Sequence, residues 1–121
     1  MSRILIVEDE EVLTDSLQDI LEGEGHRVLT AHNGMDALDT LARERLDLVL
    51  LDLMLPLVDG LTVLKTLRRD APSTAVVVVT SCGREALKGQ PVQGFLRKPF
   101  SLEALLGMVK SVLPQPPPAL K

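Results

Sequence analysis

Four short apolar runs in this 121-residue chain each end on residues that could do chemistry. Arg3 to Val7 leads into Glu8 and Asp9, Leu46 to Leu51 into Asp52, Ala75 to Val79 into Thr80, and Gly94 to Arg97 into Lys98. Short continuous apolar runs of this kind read as strands covered on both faces, as in a parallel sheet. The carboxyl ends of such strands open onto one crevice, where open α/β sheets bind ligands. Three carboxylates, a hydroxyl and an ammonium would converge there. Crowded carboxylates repel one another unless a hard cation compensates them, and an ammonium with a hydroxyl suits an anion beside that cation. This is equipment for handling a phosphoryl group on Mg²⁺.

The elements between these strands must place them side by side. Leu13, Leu17, Ile20 and Leu21 share a helical face, and Gly23 and Gly25 stop that helix. His26 to Ala31 reads as a further strand, and Asn33-Gly34 turns the chain into a helix from Met35 to Arg45 with Ala37, Leu38 and Leu41 as its stripe. After Asp59-Gly60 comes a helix with apolar positions Leu61, Leu64 and Leu67, a basic end at Arg68-Arg69, and Pro72 just beyond. Ser101 caps the last helix, which carries Leu102, Leu105, Leu106, Val109 and Leu113 on one face. Strand and helix alternate throughout, so the expected class is α/β, a parallel sheet between two helical layers. Two segments break the rhythm. Arg84 to Lys88 is barely a turn and a half before Gly89 and Pro91, so the fourth helix should be stunted. Residues 114–121 begin Pro-Gln-Pro-Pro-Pro, a composition that favours extended polyproline II. That tail reads either as a linker to an absent neighbour or as a frayed end.

Composition narrows the classes. A chain of 121 residues with 45% hydrophobic and 25% charged side chains is the size of one domain with one core. Net charge is −4 and the basic residues are scattered, which argues against direct nucleic-acid binding. The single cysteine, Cys82, has no internal partner for a disulfide, and Met1-Ser2-Arg3 leads straight into a strand, so a cytoplasmic protein is expected. No apolar stretch approaches the roughly 20 residues that span a bilayer.

The strings Ile4-Leu5-Ile6-Val7-Glu8-Asp9-Glu10, Leu51-Asp52-Leu53-Met54-Leu55-Pro56 with Asp59-Gly60, Val79-Thr80-Ser81 and Phe95-Leu96-Arg97-Lys98-Pro99-Phe100 occur in this order. Together they resemble the receiver domain of bacterial two-component response regulators, over residues 3 to about 113. The resemblance implies a flavodoxin-like doubly wound sheet of order 2-1-3-4-5, with residues 1–113 as the receiver and 114–121 as a tail or linker to an output domain. It implies that Asp52 accepts a phosphoryl group from a sensor histidine kinase or phosphotransfer protein. It also implies that Asp9 coordinates Mg²⁺ directly, Glu8 acts through water, and the Met54 backbone carbonyl adds an oxygen. Thr80 and Lys98 would hold the phosphoryl oxygens. Phe95 corresponds to the aromatic that turns inward when the Thr80 hydroxyl moves, and Pro99 to the position that carries a cis peptide.

The chemistry is sound on its own terms. An aspartate is ionised at neutral pH and can form an acyl phosphate without a base. Mg²⁺ held by few carboxylates and several waters is the usual arrangement for phosphoryl transfer. Taken singly, each residue has a plainer reading. Glu8 and Asp9 could cap a helix, Lys98 could be solvated, Thr80 could be an ordinary strand residue, Phe95 could be core, and Cys82 could be a small buried hydrophobe.

Two departures from the family pattern stand out. Only 18 positions separate Thr80 from Lys98, about one helical turn short, which trims the surface through which many receivers dimerise. Leu57 and Val58 replace the glycine and methionine common before Asp-Gly, leaving that loop more apolar and stiffer. The isolated domain is therefore expected to stay monomeric or pair weakly. The expected activity is that of a phosphoacceptor rather than an enzyme acting on a separate substrate. A haloacid-dehalogenase-like phosphatase would need a second acid two residues after Asp52, and Met54 stands there. A receiver-like interaction module that works without phosphorylation is the other alternative.

Overall fold

The computed structural model describes residues 2–113. The proline-rich stretch 114–121, expected to be a tail or linker, lies outside them. Five strands, β1 (Arg3–Val7), β2 (Arg27–Ala31), β3 (Leu48–Leu51), β4 (Ala75–Thr80) and β5 (Gly94–Arg97), form one parallel sheet of order β2-β1-β3-β4-β5. Helices α1 (Glu11–Gly23), α2 (Gly34–Arg43), α3 (Gly60–Asp70) and α4 (Leu102–Val112) make the crossovers and the C-terminal cover. Between β4 and β5 there is only a 3₁₀ segment, Arg84–Leu87, as the weak helical signal suggested. Lys88 follows with φ 51° and Gly89 with φ 78°, a left-handed pair that closes the turn. Among the described residues, no helix is long and apolar enough to cross a membrane.

Side-chain alternation along the strands divides the core in two. Leu5, Val7, Val49, Leu51, Val76 and Val78 point to one face, where Ala37 of α2, Val63, Leu64 and Leu67 of α3 and Leu87 of the 3₁₀ segment cover them. Ile4, Ile6, Leu48, Leu50, Val77 and Val79 point to the other, under Leu17 and Leu21 of α1 and Leu105 and Val109 of α4. Each of the valine, leucine and isoleucine side chains, fully buried, contributes roughly 1.5–3 kcal/mol. The register Ile6↔Leu50 and Val7↔Leu51 brings the ends of β1 and β3 level, so Glu8 and Asp52 emerge side by side.

Local chemistry fixes the helix starts. Asn33, Asp59 and Ser101 cap α2, α3 and α4 by accepting hydrogen bonds from the amides of Asp36, Thr62 and Ala104. Helix α1 has no side-chain cap: its first turn follows Glu10, whose own amide donates to the Glu8 carboxylate at 3.1 Å. Several boundaries differ from the sequence expectation. The second strand starts at Arg27 rather than His26, and the third at Leu48 rather than Leu46. Helix α2 runs from Gly34 to Arg43 instead of Met35 to Arg45, because Glu44 is already extended and pairs with Arg3 at 2.8 Å. In α3 the buried face includes Val63, while Leu61 is half-buried, and in α4 Leu102 is exposed at the first position.

Two glycines set the loop that carries Asp52. A Cβ at Gly60 would run into the Asp52 carbonyl and the Leu53 backbone, and one at Gly34 would meet the Val58 carbonyl. Both positions exclude any side chain. Leu57, in the same loop, has φ 69° and is 78% exposed. A leucine in the left-handed region costs about 1–2 kcal/mol, and here exposure leaves it no burial to offset that cost. The loop is strained rather than merely stiff. Leu57→Gly should raise stability by about 0.5–1 kcal/mol in urea unfolding, the released strain exceeding glycine's extra chain entropy. A fall in midpoint at unchanged slope would show that the leucine side chain holds the loop.

Candidate functional site

Glu8 stands at the end of β1, 3% exposed, and its backbone is pinned from two sides. The Thr14 hydroxyl lies 3.3 Å from the Glu8 carbonyl, and His32 Nδ1 lies 3.2 Å from that same oxygen. Its carboxylate accepts the Glu10 amide at 3.1 Å. Asp52, 6% exposed at the end of β3, accepts the Met54 amide on Oδ1 at 3.0 Å, which fixes the plane of the carboxylate. Asp9 is exposed, and among the described residues its carboxylate engages no neighbouring side chain. One oxygen from each of Glu8, Asp9 and Asp52 lies within 4.8 Å of the others.

Lys98 enters this cluster from the far edge of the sheet. Its Nζ donates to Glu8 Oε1 at 2.6 Å and to Asp52 Oδ2 at 3.0 Å, with Glu10 at 3.8 Å. The Lys98–Pro99 peptide bond is cis, and the Lys98 amide donates to the Thr80 carbonyl at 2.8 Å, tying the ends of β4 and β5 together. Burial pulls the ammonium toward neutrality, but the bonds to Glu8 and Asp52 outweigh it and hold Lys98 above the ordinary lysine value. For Glu8 burial prevails: despite the bonds from Lys98 and the Glu10 amide, and with Asp52 adding repulsion, its carboxyl is raised above the usual carboxylate value. Repulsion among the carboxylates is thus partly compensated from within the protein by the Lys98 ammonium.

The pocket over these groups, about 550 Å³, is lined by Asp9, Asp52, Met54 and Lys98 among the anticipated residues. Ser81, Glu10 and Asp59 also line it. Ser81 sits in the Val79-Thr80-Ser81 string, and its hydroxyl lies 3.8 Å from the Met54 sulfur, linking the loops after β3 and β4. Asp59 stood out in the sequence only within the Asp59-Gly60 pair that precedes a helix. Thr80 is fully buried at the end of β4, where its Oγ1 accepts the Cys82 amide at 3.4 Å, and it does not line the pocket. Phe95 is half-buried one strand further out, with the Arg84 guanidinium 4.9 Å from its ring centre, and Cys82 is half-buried.

Three carboxylates, one of them free of partners among the described residues, and a nearby backbone turn suit a hard divalent cation with oxygen ligands and retained waters. The donor set fits Mg²⁺, and contains no thiolate or imidazole that would favour a softer metal.

Known proteins resemble this chain in both sequence and fold. The sequence model of the response regulator receiver domain matches residues 4–110. The transcriptional regulatory protein YkoG of Bacillus subtilis is 40% identical over 118 residues, spanning 93% of this chain and 51% of YkoG. The response regulator MprA of Mycobacterium tuberculosis strain H37Rv is 36% identical over 115 residues, 92% of this chain and 50% of MprA. The chain spans about half the length of these curated relatives. Among solved structures, the response regulator TrrA of Thermotoga maritima in complex with Mg²⁺ and BeF superposes with a TM-score of 0.86 at 31% identity, covering 93% of this chain and all of that one. A CheY-like receiver domain from Methanospirillum hungatei gives 0.87 at 29% identity, with 92% of each chain covered.

Proposed function

Because the chain belongs to the response regulator receiver domain family, we propose that Asp52 is its phosphoacceptor and that Glu8, Asp9 and the Met54 carbonyl serve, with Asp52, a Mg²⁺ ion. The observation that carries this reading is the level placement of Glu8, Asp9 and Asp52 around one point, with Lys98 reaching the same point from β5. In the transfer, an Asp52 carboxylate oxygen bonds to phosphorus as the bond from phosphorus to the donor's nitrogen or oxygen breaks, the electron pair leaving with the donor. Mg²⁺, when bound, would neutralise charge on the phosphoryl oxygens.

The remaining roles belong to the chain's own side chains. The Met54 amide orients the nucleophile, and Lys98 exchanges a carboxylate oxygen for a phosphoryl oxygen as its partner. Thr80, whose hydroxyl accepts a long bond from the Cys82 amide, turns toward the new anion, and Phe95 follows into the vacated space. A sensor histidine kinase or phosphotransfer protein is the donor, and in the longer proteins of the family an output domain or effector is the reader. Residues 1–113 would form the receiver, with 114–121 as the connecting segment. Met54 offers no acid that could hydrolyse a separate substrate, which disfavours the phosphatase alternative.

The test is intact-mass measurement after incubation with acetyl phosphate. With Mg²⁺ we expect a single phosphoryl addition, mapped to Asp52 after borohydride reduction and digestion, and none in chelator. Sustained release of inorganic phosphate far beyond one equivalent would favour the phosphatase, and an unchanged mass in fresh donor the phosphorylation-independent module. The short 3₁₀ segment leaves little of the usual pairing surface, so the same domain with Mg²⁺ and beryllofluoride should sediment as a monomer or weak pair. A tight dimer disrupted by changes within Arg84–Leu87 would overturn that part.

A further inference from the structure

The one cation–π contact found among the described residues places the Arg84 guanidinium 4.9 Å from the centre of the Phe95 ring. Its position gives it more than a surface role. Phe95 is one of only two aromatic residues in the chain, and it lies on β5 opposite Val78, two residues before Thr80 on the neighbouring strand. Arg84 opens the 3₁₀ segment four residues after Thr80. The loop between them, Ser81 to Gly83, also contains the Cys82 amide that holds the Thr80 hydroxyl. One short stretch, Ser81 to Arg84, therefore contacts both the hydroxyl, through Cys82, and the ring, through Arg84.

We propose that Arg84 is a clasp on the switch: it holds Phe95 in its resting orientation, and part of the free energy of phosphoryl binding is spent on releasing it. This rests on the phosphoacceptor reading of Asp52 and deepens it, making Arg84 a positioning residue that sets how readily the domain activates. An exposed guanidinium on an aromatic face is held strongly enough that losing the contact should change a coupled equilibrium about two- to five-fold. The direction is diagnostic. Removing a cation near a site for anions should weaken their binding by simple electrostatics, whereas removing a clasp on the resting state should strengthen it.

The experiment is a titration of the whole domain with beryllofluoride at fixed Mg²⁺, followed by the thermal midpoint and by the ring resonances of Phe95. Arg84→Gln should bind about two- to five-fold more tightly than wild type. Arg84→Lys, which keeps the charge and a weaker ring contact, should fall between the two. In a Phe95→Leu background, which keeps a large apolar side chain without a π-face, Arg84→Gln should have no further effect. Equal or weaker binding by Arg84→Gln, or a gain that persists with Phe95→Leu, would overturn the clasp. If wild type itself takes up neither beryllofluoride nor a phosphoryl group, the phosphoacceptor reading fails first, an outcome distinct from a binding wild type whose affinity ignores Arg84.

Discussion

Asp52→Asn should take up no phosphoryl group from acetyl phosphate and should lose the stabilisation that Mg²⁺ with beryllofluoride gives the wild type. A ligand at one hundred times its dissociation constant adds about 2.7 kcal/mol, which for a domain of this size is a rise of roughly 10 °C in midpoint. The variant should show almost none of it. The amide is too weak a nucleophile to form the acyl phosphate, and it offers the metal one oxygen in place of two. The ligand-free fold should change little, within about 1 kcal/mol. An asparagine can keep either the bond from the Met54 amide or the one from Lys98, since both partners are donors and only one end of the amide accepts. Labelling equal to wild type would remove Asp52 from the phosphoacceptor role.

Lys98→Met should destabilise the metal-free domain by about 3 kcal/mol at neutral pH, because it leaves Glu8 and Asp52 adjacent and buried with no cation between them. The pH dependence follows from the two shifts. The Lys98 value is raised in the folded state, so its contribution is complete at neutral pH and is lost only as alkali carries the pH through that raised value. The Glu8 value is also raised, so its ionised form opposes folding, and that opposition fades as the pH falls through the raised value toward 4.5. Without Lys98 the opposition from Glu8 deepens. The gap between variant and wild type should therefore narrow on acidification, and Mg²⁺ should restore more stability to the variant than to wild type. Urea unfolding across pH, with and without Mg²⁺, decides this. A gap independent of both would mean that Lys98 contributes only the packing of its stem.

Much of this site was legible because strand ends were. Glu8, Asp52, Thr80 and Lys98 each follow an apolar run, and parallel connectivity brings the ends of such runs to one edge. The stunted connection was legible from Gly89 and Pro91. What escaped was whatever depends on register or on a partner distant in sequence. Lys98 is 90 positions from Glu8; its type makes it a candidate counter-ion for the carboxylates but does not say which of them receives it. Ser81 looked like a neighbour of Thr80, yet Thr80 points into the core and Ser81 into the pocket, the ordinary alternation continued past the strand end. Val63 displaced Leu61 from the buried face of α3 because the stripe is set by where the helix meets β3 and β4, which apolar spacing fixes only to within one position. Leu57 gave no warning of a positive φ, since that is imposed by the turn and not by the residue.

The site's acids and its lone ammonium are carried by strands of unequal permanence. Glu8 and Asp52 extend from β1 and β3, interior strands that can separate only if the whole sheet opens. Lys98 extends from β5, which has one neighbour and a four-residue 3₁₀ segment for cover on one side. Local unfolding begins at such margins. We therefore expect a breathing motion to act on the domain's charge balance: each excursion of β5 would withdraw the internal counter-ion and offer the carboxylates to cations from solution. Amide exchange at Phe95 and Leu96 faster than at Ile6 and Leu50, and slowed by Mg²⁺, would be its signature.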